Sequence, residues 1–231
     1  LRVVAGTGRC AATRAHLSHP FVQQVIYSER GEAGARRLDA TIAEALEGLH
    51  GHEALAHADE LALHFARARS QPLARKAVRY LHAAGRGALE KYANREAANY
   101  LAAALDHLDK DPAIEDGSRE EILTTLARTR QRLGEYDAAM ELWERARKDA
   151  AARGERGEIA EIEHRMGLAC YWSGNYADAL AHYEAGLAEA EGGDPAKTVR
   201  LRLATGIALQ ELGRLGAAQA AVGKGRAAAA A

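Results

Sequence analysis

Proline is scarce in this chain, four in 231 residues, and β-branched residues are few beside an abundance of alanine. Proline breaks helices and β-branching favours strands, so little here interrupts helix. Aromatic residues make up only 5%, so a core must rest on Ala and Leu with helices in close approach. The two cysteines, Cys10 and Cys170, lie far apart and read as unpaired thiols of a reducing compartment. No run nears the roughly 20 apolar residues of a membrane span, and no signal peptide heads the chain. Neither charge sign predominates: Lys+Arg number 31 against 32 for Asp+Glu. That excludes a basic nucleic-acid footprint over the whole surface. The expected location is the cytoplasm, with no membrane contact and no direct nucleic-acid binding. The chain opens on Leu1, as a piece of a longer protein would.

Catalytic motifs are equally sparse. A P-loop needs Gly-x-x-x-x-Gly-Lys-(Ser/Thr), because backbone amides cradle the phosphates and the hydroxyl binds magnesium. Around Gly223-Lys224-Gly225, Ala218 stands where the first glycine should be and Gly225 replaces the hydroxyl residue. Gly6-Thr7-Gly8-Arg9 also lacks the pattern. His50, His52, His57 and His64 are the one group with metal-ligand character. His57 and His64, seven apart, share a helix face in this reading, with His50 and His52 in the preceding loop. The plainer reading, a solvated loop and one packed histidine (His64), is preferred. No catalytic residue, cofactor or metal is therefore expected, and the chain is not read as an enzyme.

What is present is repetition. Gly134-Glu135-Tyr136 leads to Ala139 and Trp143; Gly174-Asn175-Tyr176 leads to Ala179 and Tyr183. Gly213-Arg214-Leu215 leads more weakly to Ala218 and Val222, and an earlier copy with Ala97 and Leu101 lacks the glycine. In each, a turn precedes a small residue and then a large apolar one a helical turn later, which places both on one helix face. Small residues also punctuate the preceding helices at Ala84-Gly85, Ala127, Met166-Gly167 and Thr205-Gly206. This pattern resembles tetratricopeptide (TPR) repeats over about 75–228. The resemblance implies an all-α, right-handed superhelical solenoid of about four helix pairs, which offers a surface rather than a reaction. Ala97, Ala139, Ala179 and Ala218 are spaced 42, 40 and 39 residues apart. The usual unit is about 34, so the helices or the connecting loops are longer here. Gly186 stands where the third copy would carry an alanine.

The repeats do not begin at residue 1. Ser18 and Pro20 open a short helix through Tyr27. A glycine break at Gly31 and Gly34 follows. Residues 35–49 are then amphipathic, with Leu38, Ile42, Ala45 and Leu46 on one face. Glu60-Leu61-Ala62-Leu63-His64-Phe65 comes next, and Pro72 opens the first repeat helix. His19, Val22, Tyr27, Arg36-Arg37-Leu38, Ile42-Ala43, Ala45-Leu46-Glu47, Glu60-Leu61-Ala62, His64-Phe65, Tyr80-Leu81 and Ala84-Gly85 form an ordered set. It is similar to the C-terminal half of STAND-type signalling ATPases, namely LuxR-like activators and ATPase-linked class III adenylate cyclases. In that family a P-loop ATPase leads into a winged helix and then TPR repeats. Asp39 departs from the family, which often carries His there. The implied division is 1–30 as the end of a winged-helix-like module, 31–71 as a helical linker and 72–231 as the repeat solenoid.

The resemblance implies a regulatory module that senses a protein partner or small effector, the partner being a peptide segment or the ATPase domain of the same polypeptide. A free-standing adaptor is the alternative, and a metal-dependent enzyme through the histidines a third. First helices of such repeats line the concave face. Counting along them points Arg79, His82, Arg86, Thr124, Arg128, Gln131, His164, Tyr171 and Arg200 toward it. Of Tyr171 and Trp172 at one helix end, only one can pack inward, leaving the other as an anchor. The Lys/Asn set that grips a C-terminal carboxylate is missing. Arg residues paired with Glu121 and Glu161 are the plainer alternative. Ser118 with Glu121 reads as a capping box, and Asp194-Pro195 as a helix start. Residues 109–117 and 191–194 are expected to be exposed connections.

Overall fold

The computed structural model of the chain describes residues 2–4, 14–16, 31–111, 113–114 and 117–230. The helix expected over 18–27, with Ser18, His19, Pro20, Val22 and Tyr27, and also Cys10, lie outside the described residues. The chain forms two compact units, Leu1–Gly117 and Ser118–Ala231.

In the first unit, strands β1 (Arg2–Val4) and β2 (Arg14–His16) pair antiparallel, with Val3 opposite Ala15. The rest of the described chain is helical. Helix α1 (Gly31–His50) runs through a 3-10 turn, Gly51–His57, into α2 (Ala58–Ala68). A second 3-10 turn, Gln71–Leu73, holds Pro72 at its start and leads into α3 (Ala74–Glu90) and α4 (Asn94–Lys110). The second unit contains α5 (Arg119–Arg132), α6 (Tyr136–Arg153), α7 (Arg156–Trp172), α8 (Tyr176–Ala190), α9 (Pro195–Glu211) and α10 (Leu215–Ala230). Within each unit every helix packs on its successor, and α7 also meets α9. The repeat pairs are α3/α4, α5/α6, α7/α8 and α9/α10, and no strand occurs among the described residues of 75–225. The longer period comes partly from the helices. Most run 15 to 18 residues, and two such helices with their turns exceed a unit of about 34.

Each pair closes through a three-residue turn. Gly134, Gly174 and Gly213 take left-handed φ values of 75°, 83° and 72°. The next amide then bonds back to a carbonyl five residues earlier: Glu135 to Arg130 at 3.0 Å, Asn175 to Cys170 at 2.8 Å, Arg214 to Leu209 at 2.9 Å. This satisfies carbonyls the helix end would leave open. The copy without glycine makes the same turn. Tyr92 occupies the glycine's position at φ 58°, and Ala93 bonds to the Ala88 carbonyl at 2.9 Å.

The second-helix residues pack as the repeat pattern requires: Ala139, Trp143, Ala179 and Tyr183 are all at most 2% exposed. First-helix glycines receive the large partners. A Cβ on Gly85 would meet Leu101 at 2.9 Å, one on Gly167 would meet Tyr183 at 2.3 Å, and one on Gly206 would meet Val222 at 2.7 Å. Gly186 is explained the same way, since a Cβ there would fall 2.9 Å from Leu201 and 3.2 Å from the Ala160 carbonyl oxygen.

One local expectation holds and two are adjusted. Asp194 does cap α9, its carboxylate accepting from the Ala196 amide at 2.9 Å. Helix α5 starts at Arg119 as expected, yet Ser118 is already helical and makes no capping bond with its side chain; the Ile122 amide reaches its carbonyl instead. In α1 the buried positions are Asp39 and Ala43, while Leu38, Ile42 and Leu46 are half-buried and Ala45 is exposed. The stripe is rotated because Asp39 turns inward to His64, Oδ1 to Nδ1 at 2.9 Å.

Residues 31–71 pack as a helix pair beside α3. Glu47 of α1 accepts from Tyr80 Oη at 2.8 Å and Lys76 Nζ at 2.6 Å. Tyr80 stacks on Phe65 of α2, with 5.3 Å between centroids. Burial and the Glu47 carboxylate push the Tyr80 phenol up to about 12.

Candidate functional site

In the second unit the first helices α5, α7 and α9 line two cavities. The smaller, about 350 Å³, is bounded by Arg128, Gln131 and Arg132 of α5, Tyr136 at the start of α6, and Arg165, Leu168 and Trp172 of α7. The larger, about 710 Å³, takes His164 and Leu168 from α7, seven residues of α9 including Arg200, Leu203 and Ile207, and Ala228 and Ala229 of α10. Leu168 borders both. The structure thus brings Arg128 and Gln131 to one cavity, and His164 and Arg200 to the other.

The smaller cavity is cationic. Burial, and next the charge of Arg165, hold the Arg128 guanidinium below its usual pKa; Glu161 opposes them only in part. Glu161 is already engaged by Arg165 at 2.9 Å and by Arg200. The wall pairing anticipated for Glu161 is therefore present. Trp172 stands over this charge with 64% of its surface exposed. Its neighbour Tyr171 packs inward against the core and donates to Glu211 at 3.3 Å. Tyr171, counted toward the concave face from the sequence, is the member that packs inward, and Trp172 is the one that projects. Thr124 bonds its own helix, Oγ1 to the Glu120 carbonyl at 2.9 Å.

The larger cavity is mostly apolar. Leu203 and Ile207 are 41% and 50% exposed on α9. His164, buried at its edge, is driven down to about 4 by burial and then by the Arg200 charge. It is neutral at pH 7. Behind it, His182 Nδ1 meets buried Glu163 at 2.8 Å. Hydrogen bonds with the Cys170 side chain and with Glu163 raise His182 to about 9. Arg147 Nε also lies 3.7 Å from Glu163. Cys170 is a free, buried thiol.

The remaining predicted residues belong to α3 in the first unit. Arg79 and Arg86 are exposed and His82 is half-buried. The Arg79 guanidinium sits 5.7 Å from the centre of the Tyr80 ring. None of the three lines the cavity of about 450 Å³ in this unit. That cavity lies where the α2–α3 junction meets the end of α4, among Arg69, Ser70, Gln71, Asp106, His107 and Lys110. Sequence reasoning missed it. Its one visible sign was the Ser70-Gln71-Pro72 turn, reached through Arg69 at φ 43°.

The histidine group is rearranged rather than gathered. His64 pairs with Asp39, and His52 is 94% exposed at its side chain. His50 and His57 stack, centroids 3.8 Å apart and rings inclined by 14°, with Glu60 beside them.

No family model matches the chain, and no curated protein does. Solved structures do. BtubC (BKLC) from P. vanneervenii superposes with a TM-score of 0.61 at 19% identity, covering 92% of both chains. A Podosopora anserina chain of kinesin-light-chain type, built of nearly identical TPR-like repeats, gives 0.61 at 19% identity over 84% of this chain and 94% of that one. The fold is that of a TPR-like repeat array. MamA gives 0.55 at 16% identity over 82% of this TPR-like chain and 91% of its own. Among the described residues no helix is long and apolar enough to cross a membrane.

Proposed function

We propose that this chain is the regulatory, protein-binding repeat module of a multidomain STAND-type signalling ATPase, acting in the cytoplasm. Its second unit receives an acidic peptide segment on the α5–α7 face. The observation that carries the binding site is Arg128 crowded by Arg165 beside an exposed Trp172. Clustered guanidinium groups gain most from a carboxylate-bearing ligand, and a projecting Trp is a frequent anchor. Arg79, His82 and Arg86 supply a separate basic face on the first unit. The wider reading draws support from the residues that resemble the signalling ATPases: Glu47, His64, Phe65 and Tyr80 interlock α1, α2 and α3. The antiparallel β1–β2 pair suits the wing of a winged helix, and residues 31–71 its helical link to the repeats.

In this mechanism the repeats hold the ATPase domain inactive through the bound segment, and a partner or small effector on the same face releases it. A free-standing adaptor would use the same face, and the fold supports it equally. A P-loop encoded upstream in the parent gene separates the two.

The site is tested by titrating the chain with a fluorescent Glu-rich peptide and with the parent's ATPase domain. Wild type is expected to bind both, more weakly as salt rises. Arg128→Ala and Trp172→Ala should each weaken binding about tenfold or more. Unchanged affinity in the double variant removes this face from the function.

A further inference from the structure

We propose that His50, His57 and Glu60 form a binding site for one divalent transition-metal ion, with Zn²⁺ as the fitting example. The site lies at the corner between α1 and α2 and goes beyond peptide binding. His50 closes α1, and Gly51 turns the chain at φ 53°. The 3-10 segment then brings His57 back over His50, and Glu60 follows in the first turn of α2, three residues on. Three potential ligands thus come from eleven consecutive residues, 50–60.

The geometry favours one shared ion. One ligand atom from each of the three residues can be chosen so that all lie within 4.8 Å of one another. His50 Nε2 is 3.6 Å from Glu60 Oε2, too far for a hydrogen bond. A tetrahedral ion with bonds near 2.1 Å holds its ligand atoms about 3.4 Å apart, so small side-chain rotations close the set. His57 and Glu60 are exposed and have room to make them.

His50 gives a second, independent indication. Its side chain is only 11% exposed, and Nε2 is buried with no hydrogen-bond partner. Buried ring nitrogens are normally satisfied. Here the unused nitrogen lies beside a second imidazole and a carboxylate. The two imidazoles lie face over face at 3.8 Å, so the exposed His57 ring must tilt for nitrogens of both rings to aim at one ion. Two imidazoles and one carboxylate are the donor set of Zn²⁺ and its first-row neighbours; Mg²⁺ and Ca²⁺ prefer oxygen alone. Three protein ligands leave a coordination position for water or for a partner's side chain. The bound ion would staple the end of α1 to the start of α2.

The test uses the tag-free 231-residue chain, stripped with chelator and titrated with Zn²⁺ by calorimetry and with Co²⁺ by visible absorption. One saturable equivalent is expected, with Co²⁺ bands of a low-coordinate nitrogen–oxygen site. His57→Ala and Glu60→Gln, both at exposed positions and checked for helix by circular dichroism, should each weaken Zn²⁺ binding by about tenfold or more. That is at least what removal of a supporting outer-shell group costs. His52→Ala should bind as wild type. The proposal is overturned by the absence of a one-to-one site, by unchanged affinity in the His57→Ala/Glu60→Gln double variant, or by loss of the site in His52→Ala.

Discussion

The Cβ that Gly167 lacks would fall 2.3 Å from Cε1 of Tyr183. Helices α7 and α8 therefore touch through a missing side chain and an aromatic ring. Gly167→Ala is expected to cost about 1–3 kcal/mol by overpacking, despite alanine's better helix propensity. Ala179→Leu, one turn before the ring, should cost a similar amount. Urea denaturation checks both; an unchanged midpoint in either variant contradicts the close packing of this pair.

Tyr92 offers the opposite case. It holds a glycine's backbone conformation at φ 58° while its side chain lies in solvent, 88% exposed. A left-handed non-glycine residue costs roughly 1–2 kcal/mol, and glycine returns part of that as lost unfolded-state restriction. Tyr92→Gly should raise stability by about 0.5–1 kcal/mol, seen as a higher urea midpoint. A lower midpoint would mean that Tyr92 contributes contacts beyond its turn.

Asp39 and His64 predict a strong coupling. The carboxylate is buried, and removing it leaves His64 Nδ1 without its 2.9 Å contact. Asp39→Ala is expected to cost about 3 kcal/mol, and His64→Leu added to it should return part of the loss. A double-mutant cycle measures the coupling; simple additivity would show that the two side chains do not act as a pair.

Two histidines act at opposite ends of the pH scale. His164 titrates near 4 in the folded chain, below the ordinary 6.5. The unfolded chain takes up its proton first, so stability falls as pH drops from about 6.5 toward 4. His182 is raised to about 9. Its contribution is complete below about 6.5 and is lost as pH rises through 9. Melting temperatures between pH 4 and 10 should show both limbs. His164→Asn should flatten the acid limb and His182→Gln the alkaline one, relative to wild type.

The repeat framework was legible because its signals are local. A glycine, a small residue five positions on and a large one four further are visible without knowing any contact. The longer-range pairs were not. Asp39 and His64 are 25 residues apart, and the burial of one depends on the other. The groove was only half legible for a packing reason. Helix α7 is covered by neighbours on more than one side, so Ala160, Ile162, Glu163, His164 and Met166 are all buried. Such a helix has no clean apolar stripe from which to count faces. The choice between Tyr171 and Trp172, one residue apart, lies below that resolution.

The three-residue turns give the array a grammar of joints. At 173–175 the glycine conformation and the backward amide bond fix both the length and the direction of the connection. One added residue there would shift all of α8 against α7. The stretch 191–194 is exposed throughout, and nothing packs a second helix end against it so tightly. Growth or loss of chain length over descent should accumulate at joints of the second kind. A reporter peptide placed at 192–193 should leave the melting temperature nearly unchanged, whereas the same peptide at 174 should unseat the pair.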